Sequence, residues 1–364
     1  MFYNYNILGY IKIFKYLNHK TFSLRYFKNR LAIINSYYKK NPYVKGYAPM
    51  VHIEPTNVCN LRCVMCPRDQ QERPEGYMDF SLYKAFLDEL DTLGTELIYL
   101  HLFGEPTLHP RIFDMISYAK VKGIDVAMST NGTTLDERIT RLLLSSGLDI
   151  LIISFDAADN PEYYEQIRKY ASYNEVFSNI KNFLNVKKDR KPFTILQTIR
   201  IKGSENADKF LKKVFPRYNN LVISNKPFDE WGGKVERINK LSTVDIRYEQ
   251  CPRLCEKIWR TAMIHYDGTV VPCSRCYDKK FSLGKFPGQS LRQIWNGEKS
   301  VALRQLHVKD RMLHEYCRSC YYVGLSFLEE IILAITDATF FEKMFHEIQD
   351  IRDRKLSLSK PGDF

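Results

Sequence analysis

Three cysteines, Cys59, Cys63 and Cys66, stand in the order C-x3-C-x2-C within Glu54-Pro55-Thr56-Asn57-Val58-Cys59-Asn60-Leu61-Arg62-Cys63-Val64-Met65-Cys66-Pro67. Three thiolates this close can wrap one iron–sulfur cluster, and a four-iron cubane with only three protein ligands leaves one iron open to another donor. The competing reading is a zinc knuckle. Structural zinc is normally four-coordinate, and the only histidine close by in sequence, His52, falls on the apparent strand before the loop.

The stretch closely resembles the cluster loop of the radical S-adenosylmethionine (radical SAM) enzymes, in which the amino and carboxylate groups of the methionine part chelate the fourth iron. Further motifs carry the same resemblance. Phe103-Gly104-Glu105-Pro106 resembles the family's glycine-glycine-glutamate motif, with Phe103 in place of the first glycine. It implies that the backbone edge of Phe103 and Gly104 bonds the amino group, while Glu105 supplies the negative charge that an ammonium seeks. Without the cysteine loop, the same residues would read as a turn that only needs glycine.

In Ser129-Thr130-Asn131-Gly132, Asn-Gly favours a tight turn and Asn131 is placed to reach the bound ligand. Ser154 and Asp156 stand where the family puts groups on the ribose hydroxyls. Gln197 and Arg200 end a later strand, with Arg200 as a bidentate partner for the methionine carboxylate. Each of these polar residues has an alternative role as a loop cap. Met65 falls where the family has an apolar residue near the adenine, although a buried methionine also serves as plain filler.

A second group comprises Cys251, Cys255, Cys273, Cys276, Cys317 and Cys320. Twelve residues separate Cys255 from Gly268 and four more precede Cys273; Leu283-Gly284, Ile294-Trp295-Asn296-Gly297 and Cys317-x2-Cys320 follow. This segment closely resembles the SPASM/twitch extension of radical SAM enzymes. The resemblance implies one auxiliary 4Fe-4S cluster on Cys255, Cys273, Cys317 and Cys320, with Cys251 and Cys276 outside the pattern. A zinc ribbon on Cys273-x2-Cys276 and Cys317-x2-Cys320 is the alternative. It leaves the Cys255 and Gly268 spacing unexplained.

The elements that must position these residues read as βα units. Strands are expected at Val51–Glu54, Leu97–Phe103, Ile124–Ser129, Ile150–Phe155, Phe193–Ile199 and Leu221–Ser224. Helices are expected from an N-cap at Ser81 through Leu90, from Pro110, and over Leu135–Leu144. Six such units make an open, partial (β/α)6 TIM-like barrel, whose chemistry gathers at the carboxyl ends of the strands. The expected organisation is a basic, aromatic N-terminal helical arm (1–50), the barrel (51–240), the cysteine-rich extension (241–325) and a C-terminal helix and tail (326–364). A composition change puts the barrel's end between about 235 and 250.

Of the 54 Lys and Arg in this 364-residue chain, nine lie in residues 1–50, where no acid occurs before Glu54. The other 45 face 42 acids, so the catalytic body is nearly neutral although the net charge is +12. Ile7, Ile11 and Phe14 recur at helical spacing in the arm. They suit either a helix packed on the barrel, the favoured reading, or a peripheral contact with an anionic membrane. No nucleic-acid module is present. Nine cysteines without a signal peptide suggest a reduced cytoplasm, with the inner membrane face as the alternative. No apolar run reaches the ~18 residues of a spanning helix.

The resemblance covers roughly residues 50–325. It implies an electron from a low-potential donor of flavodoxin or ferredoxin type, reductive cleavage of S-adenosylmethionine, and hydrogen abstraction from a substrate by the 5′-deoxyadenosyl radical. The favoured substrate is a small polar molecule such as a sugar, an aminocyclitol or an envelope precursor, undergoing net oxidation. A peptide or protein maturase is the second reading and a non-catalytic electron-transfer protein the third; intact Gly104-Glu105 and Ser154 disfavour the third. Trp231, with Asp229 and Glu230, is placed to line the substrate mouth.

Overall fold

The computed structural model describes residues 23–215, 220–228, 231, 238, 240–241, 254–278, 280–315, 317–318 and 320. Strands β1 (Met50–Ile53), β2 (Leu97–Leu100), β3 (Asp125–Thr130), β4 (Ile150–Ser154), β5 (Phe193–Arg200) and β6 (Leu221–Pro227) lie side by side in chain order, every pair parallel. The intervening helices are α2 (Phe80–Leu93), α3 (Ile112–Val121), α4 (Glu137–Ser145), α5 (Pro161–Ile167), α6 (Tyr173–Lys187) and α7 (Ala207–Val214). No pairing closes the sheet among the described residues. It is the expected open (β/α)6 barrel.

The strands read as apolar runs because both of their faces are covered. Val51, Ile53, Ile98, Leu100, Val126, Met128, Leu151 and Ile153 join the core beneath the helices. The residues alternating with them fall on the other, concave face. There His52 stacks on Tyr99 with centroids 4.4 Å apart.

Two expectations differ in detail. Ser81 does not cap α2: the Asp79 carboxylate accepts from the N–H groups of both Ser81 and Leu82, and Ser81 is already inside the helix. A carboxylate that reaches two orphan donors outcompetes a hydroxyl two residues later. Strand β2 ends at Leu100 rather than Phe103. From His101 the chain bends over the cysteine loop, and the Glu105 N–H bonds the Val58 carbonyl at 2.8 Å.

The extension continues the same sheet. Strand β7 (Thr261–Ile264) pairs in parallel with β1, Met50 opposite Thr261 through Ile53 opposite Ile264. β8 (Thr269–Val271) and β9 (Gly284–Lys285) follow in antiparallel order. Gly268 makes the β7–β8 turn at φ +86°, where a Cβ would stand 2.3 Å from the Phe286 carbonyl oxygen. Only glycine fits both the dihedral and the space. Most of 235–250, where the sequence places the barrel's end, and all of 326–364 lie outside the described residues.

Helix α1 (Leu24–Tyr38) packs on this body. Its buried Arg30 pairs with buried Glu96 at 2.7 Å, and Tyr37 donates to the Leu254 carbonyl at 3.1 Å. The strap that follows is clamped by the extension: Trp259 donates to Asn41, Trp295 to Gly46 and Arg304 to Pro42, each to a carbonyl. Residues 1–22, with Ile7, Ile11 and Phe14, lie outside the described residues. Among the described residues no helix is long and apolar enough to cross a membrane.

Candidate functional site

The cysteine loop leaves β1 at Glu54, which is fully buried and held by both guanidinium nitrogens of Arg73 at 2.7 and 2.8 Å. Glu54 also accepts from the Tyr266 N–H at 3.1 Å, and Arg73 donates to the Tyr277 carbonyl at 2.8 Å. One buried ion pair therefore ties the loop's base to the extension. Asn57 bridges Pro74 and Gly76, closing the loop on itself. Its far side docks on the end of α5, where the Arg62 and Val64 N–H groups bond the Lys169 and Ile167 carbonyls.

Cys59, Cys63 and Cys66 all line one cavity of about 540 Å³. Its wall also holds Phe103, Gly104, Glu105, Asn131 and Ser154, each from the carboxyl end of a strand. Gly104 has φ +77°, and a Cβ there would stand 2.3 Å from the Thr56 carbonyl oxygen. The close crossing of two loops, and not a generic turn, demands this glycine. Phe103 is buried against Trp231, centroids 5.6 Å apart, and Trp231 donates to the Met65 carbonyl at 2.9 Å.

Glu105 differs from its expected role. One carboxylate oxygen accepts from the Thr107 and Thr130 hydroxyls, the other from the Asn131 N–H at 2.8 Å. The carboxylate ties the end of β2 to the end of β3 instead of lying open to an ammonium. Burial nevertheless raises its pKa, against the lowering effect of those donors. Asn131 bonds Asn60 of the cysteine loop at 3.0 Å and caps Thr133.

Three other expected residues are not brought into the cavity. Asp156 is buried with one oxygen on Arg168 Nε at 2.9 Å and the other on the Ile199 N–H at 2.8 Å. Gln197 and Arg200 are half-buried on β5 and are absent from the cavity wall. A different cation lines it, Arg168 from the C-cap of α5. Asp156 raises the Arg168 pKa against the opposing pull of burial, and Cys63 raises it further. Arg62 and Arg68 brace the loop by donating to the Cys59 carbonyl.

His101 also lines the cavity and was read only as part of a strand. Its Nδ1 is buried without a hydrogen-bond partner, and burial, helped by the charge of Lys226, pushes its pKa down to about 4. The ring is neutral at physiological pH. Asp229 and Glu230 lie outside the described residues.

The second centre gathers under the extension. Cys255, Cys273, Cys317 and Cys320 are mutually close enough that each of Cys255 and Cys317 is perturbed by the charges of others in the set. Cys276 is buried and hydrogen-bonds Cys273, which lowers the Cys273 pKa and raises its own. His307 Nε2 stands 3.2 Å from Cys317 Sγ, and His314 Nδ1 3.6 Å. Cys251 lies outside the described residues.

Both sites fit the groups expected of them by donor chemistry. Burial raises the pKa of Cys59 and Cys63, and pushes Cys66 and Cys255 up to about 12. Such thiols give up their protons to a bound metal, not to water. Among the described residues no three His, Cys, Asp or Glu side chains gather around a point as a single metal ion would require. The first site supplies three thiols beside a cavity, the second four thiols close to one another.

A family model for the radical SAM superfamily matches residues 53–204, and one for the SPASM iron–sulfur cluster-binding domain matches 255–321. The chain is 27% identical over 311 residues to the tungsten-containing aldehyde ferredoxin oxidoreductase cofactor-modifying protein of Pyrococcus furiosus, covering 74% of this chain and 86% of that one. It is 30% identical over 158 residues to the AdoMet-dependent heme synthase of Methanosarcina barkeri, 43% of this chain and 44% of that one. In fold it is similar to BtrN solved with AdoMet and 2-DOIA, at TM-score 0.52 and 18% identity over 77% of this chain and 94% of that one. It is also similar to Streptococcus suis SuiB bound to precursor peptide SuiA, at TM-score 0.56 and 14% identity over 74% and 69%.

Proposed function

Because the chain belongs to the radical SAM superfamily and carries a SPASM iron–sulfur domain, we propose that it carries out a net oxidation of a small polar molecule such as a sugar, an aminocyclitol or an envelope precursor. The observation that carries this reading is the cavity shared by Cys59, Cys63, Cys66, His101, Ser154 and Trp231. At about 540 Å³ it lies within the roughly 300–1,000 Å³ of small-ligand sites.

When bound, the open-iron cluster and S-adenosylmethionine supply a radical that removes a hydrogen atom from a substrate C–H bond. Cys59, Cys63 and Cys66 would hold the open-iron cluster. Gly104 lets the β2 loop cross the cysteine loop closely enough to present backbone to the methionine amino group, and Glu105 fixes that loop to β3. Arg168 offers the methionine carboxylate the cation that the sequence assigns to Arg200, and Ser154 reaches the ribose. Trp231 and Phe103 close the apolar side against water. His101, neutral and partnerless at Nδ1, accepts a hydrogen bond from a substrate hydroxyl and takes its proton as the carbon is oxidised. Cys255, Cys273, Cys317 and Cys320 would hold the auxiliary cluster, which would supply an acceptor for the substrate's second electron.

A maturase acting on a peptide or on another protein's cofactor is the second reading. It is favoured by the P. furiosus relative, a cofactor-modifying protein that aligns over 86% of its length. The two separate by isotope. Cofactor-loaded protein, reduced with dithionite, is offered S-adenosylmethionine with perdeuterated sugars and aminocyclitols, or with deuterated peptides. Deuterium in 5′-deoxyadenosine from the former supports the proposal. Transfer only from peptides rejects it in favour of the second reading.

A further inference from the structure

Helix α8 (Glu298–Asp310) ends one turn after His307, and a 3-10 turn (Arg311–Leu313) reverses the chain so that His314 and Cys317 return beside it. The Cys317 N–H bonds the His314 carbonyl at 2.9 Å, which fixes the return. The Cys317 sulfur then faces two imidazoles, His307 Nε2 at 3.2 Å and His314 Nδ1 at 3.6 Å. His307 is 5% exposed, and its other nitrogen, Nδ1, is buried without a partner. Nothing else on the ring competes for the Nε2 contact.

We propose that His307 is a positioning residue that donates an Nε2–H···S hydrogen bond to Cys317 and thereby raises the reduction potential of the auxiliary cluster. The inference rests on the assignment of Cys317 as a cluster ligand. A ligating cysteine is a thiolate and only accepts, so the imidazole must carry the shared proton. A donor on a ligand sulfur withdraws charge and stabilises the more negative, reduced state, one of the levers that set cluster potentials. The couple concerned adds one electron to the cluster and makes or breaks no bond at the sulfur. His314 adds a longer contact of the same kind. At the first site, among the described residues, the Cys59 sulfur meets the Leu61 N–H at 3.5 Å and Asn131 Nδ2 at 4.0 Å, and Cys66 accepts from the Arg68 backbone, with no imidazole on either.

The test is a redox titration of the cofactor-loaded, full-length protein followed by electron paramagnetic resonance, comparing the natural protein with His307→Leu and His307→Gln. In His307→Leu the reduced-to-oxidised ratio of the auxiliary cluster at a fixed poise should fall about tenfold, ~59 mV for a one-electron couple. His307→Gln, which keeps a side-chain N–H, should recover most of it. Cleavage of S-adenosylmethionine, a property of the first site, should persist in both. In the natural protein, nitrogen couplings from labelled histidine should be weak, as for a hydrogen-bonded ring. An unmoved midpoint with full iron overturns the inference. So does loss of about half the iron in His307→Leu, or a strong nitrogen coupling, either of which makes His307 a ligand. If the natural protein itself binds about four irons in place of about eight, the assignment of a second cluster fails first.

Discussion

The first cysteine loop and the second cysteine group use the same donor atom in opposite surroundings. Cys59, Cys63 and Cys66 open onto a cavity and are braced from behind by Arg62, Arg68 and Arg168, whose contacts go to backbone carbonyls and to Asp156. In the second group, drawn from the segments around β7, β8 and the end of α8, a thiol, Cys276, and the Arg275 backbone contact Cys273, and two imidazoles contact Cys317. Fixed cations shape a site that must admit a charged ligand. Hydrogen-bond donors aimed at sulfur shape one that only stores charge.

The hardest test of that division removes the thiols. Replacing Cys59, Cys63 and Cys66 together by Ala should abolish 5′-deoxyadenosine formation and remove about half of roughly eight irons. Cys317→Ala should leave cofactor cleavage in place and suppress the oxidised product. Chromatography of both products with an iron assay decides, and equal loss of cleavage in the two variants would erase the distinction between the sites.

A smaller effect concerns the brace. Arg168→Leu leaves Asp156 buried with the Ile199 N–H as the remaining partner shown for its carboxylate, which should cost about 3–5 kcal/mol. Urea denaturation measures it. Adding Asp156→Asn should return much of the loss, because the stranded charge is what costs; if the double variant is no better than the single, Arg168 acts by packing alone.

The smallest effect is the share of the pH dependence that His101 contributes at the first site. With a folded pKa near 4 against about 6.5 unfolded, His101 binds fewer protons folded than unfolded across that window. Its contribution is fully present above about pH 6.5 and is lost as the pH falls toward 4, by up to about 3 kcal/mol. His101→Gln should make the stability profile shallower between those limits, leaving the share of His307, whose pKa burial also pushes down to about 4. Parallel profiles for the two proteins would mean that the ring is hydrated in the cavity.

What was legible in the sequence was local. The cysteine spacings, with Gly268 among them, and the Phe103-Gly104-Glu105-Pro106 motif are each written in short stretches of sequence, and the strand runs announced the parallel sheet. Long-range placement left no such mark. Arg168 reaches the cavity because the end of α5 docks on a loop a hundred residues earlier, and Asp156 is drawn out of it by the same ion pair. His101 had a weak signal, lying two residues after Tyr99 on the concave face of an apparent strand. Glu105 was read by its charge, whereas the Thr107 and Thr130 hydroxyls that consume that charge come from the turn after β2 and from the end of β3.

The rung-for-rung alignment of Met50–Ile53 with Thr261–Ile264 has a consequence for the spacing of the two cysteine groups. The first cysteine loop follows β1, Cys255 precedes β7 and Cys273 follows β8 of the same sheet, while the buried Glu54–Arg73 pair bolts the first loop to Tyr266 and Tyr277. The separation of these cysteines is consequently a dimension of the sheet. A slip of a single residue there would turn the side chains of β7 to the wrong face, so the same hydrogen bonds that hold the sheet together also keep these thiols at their distance.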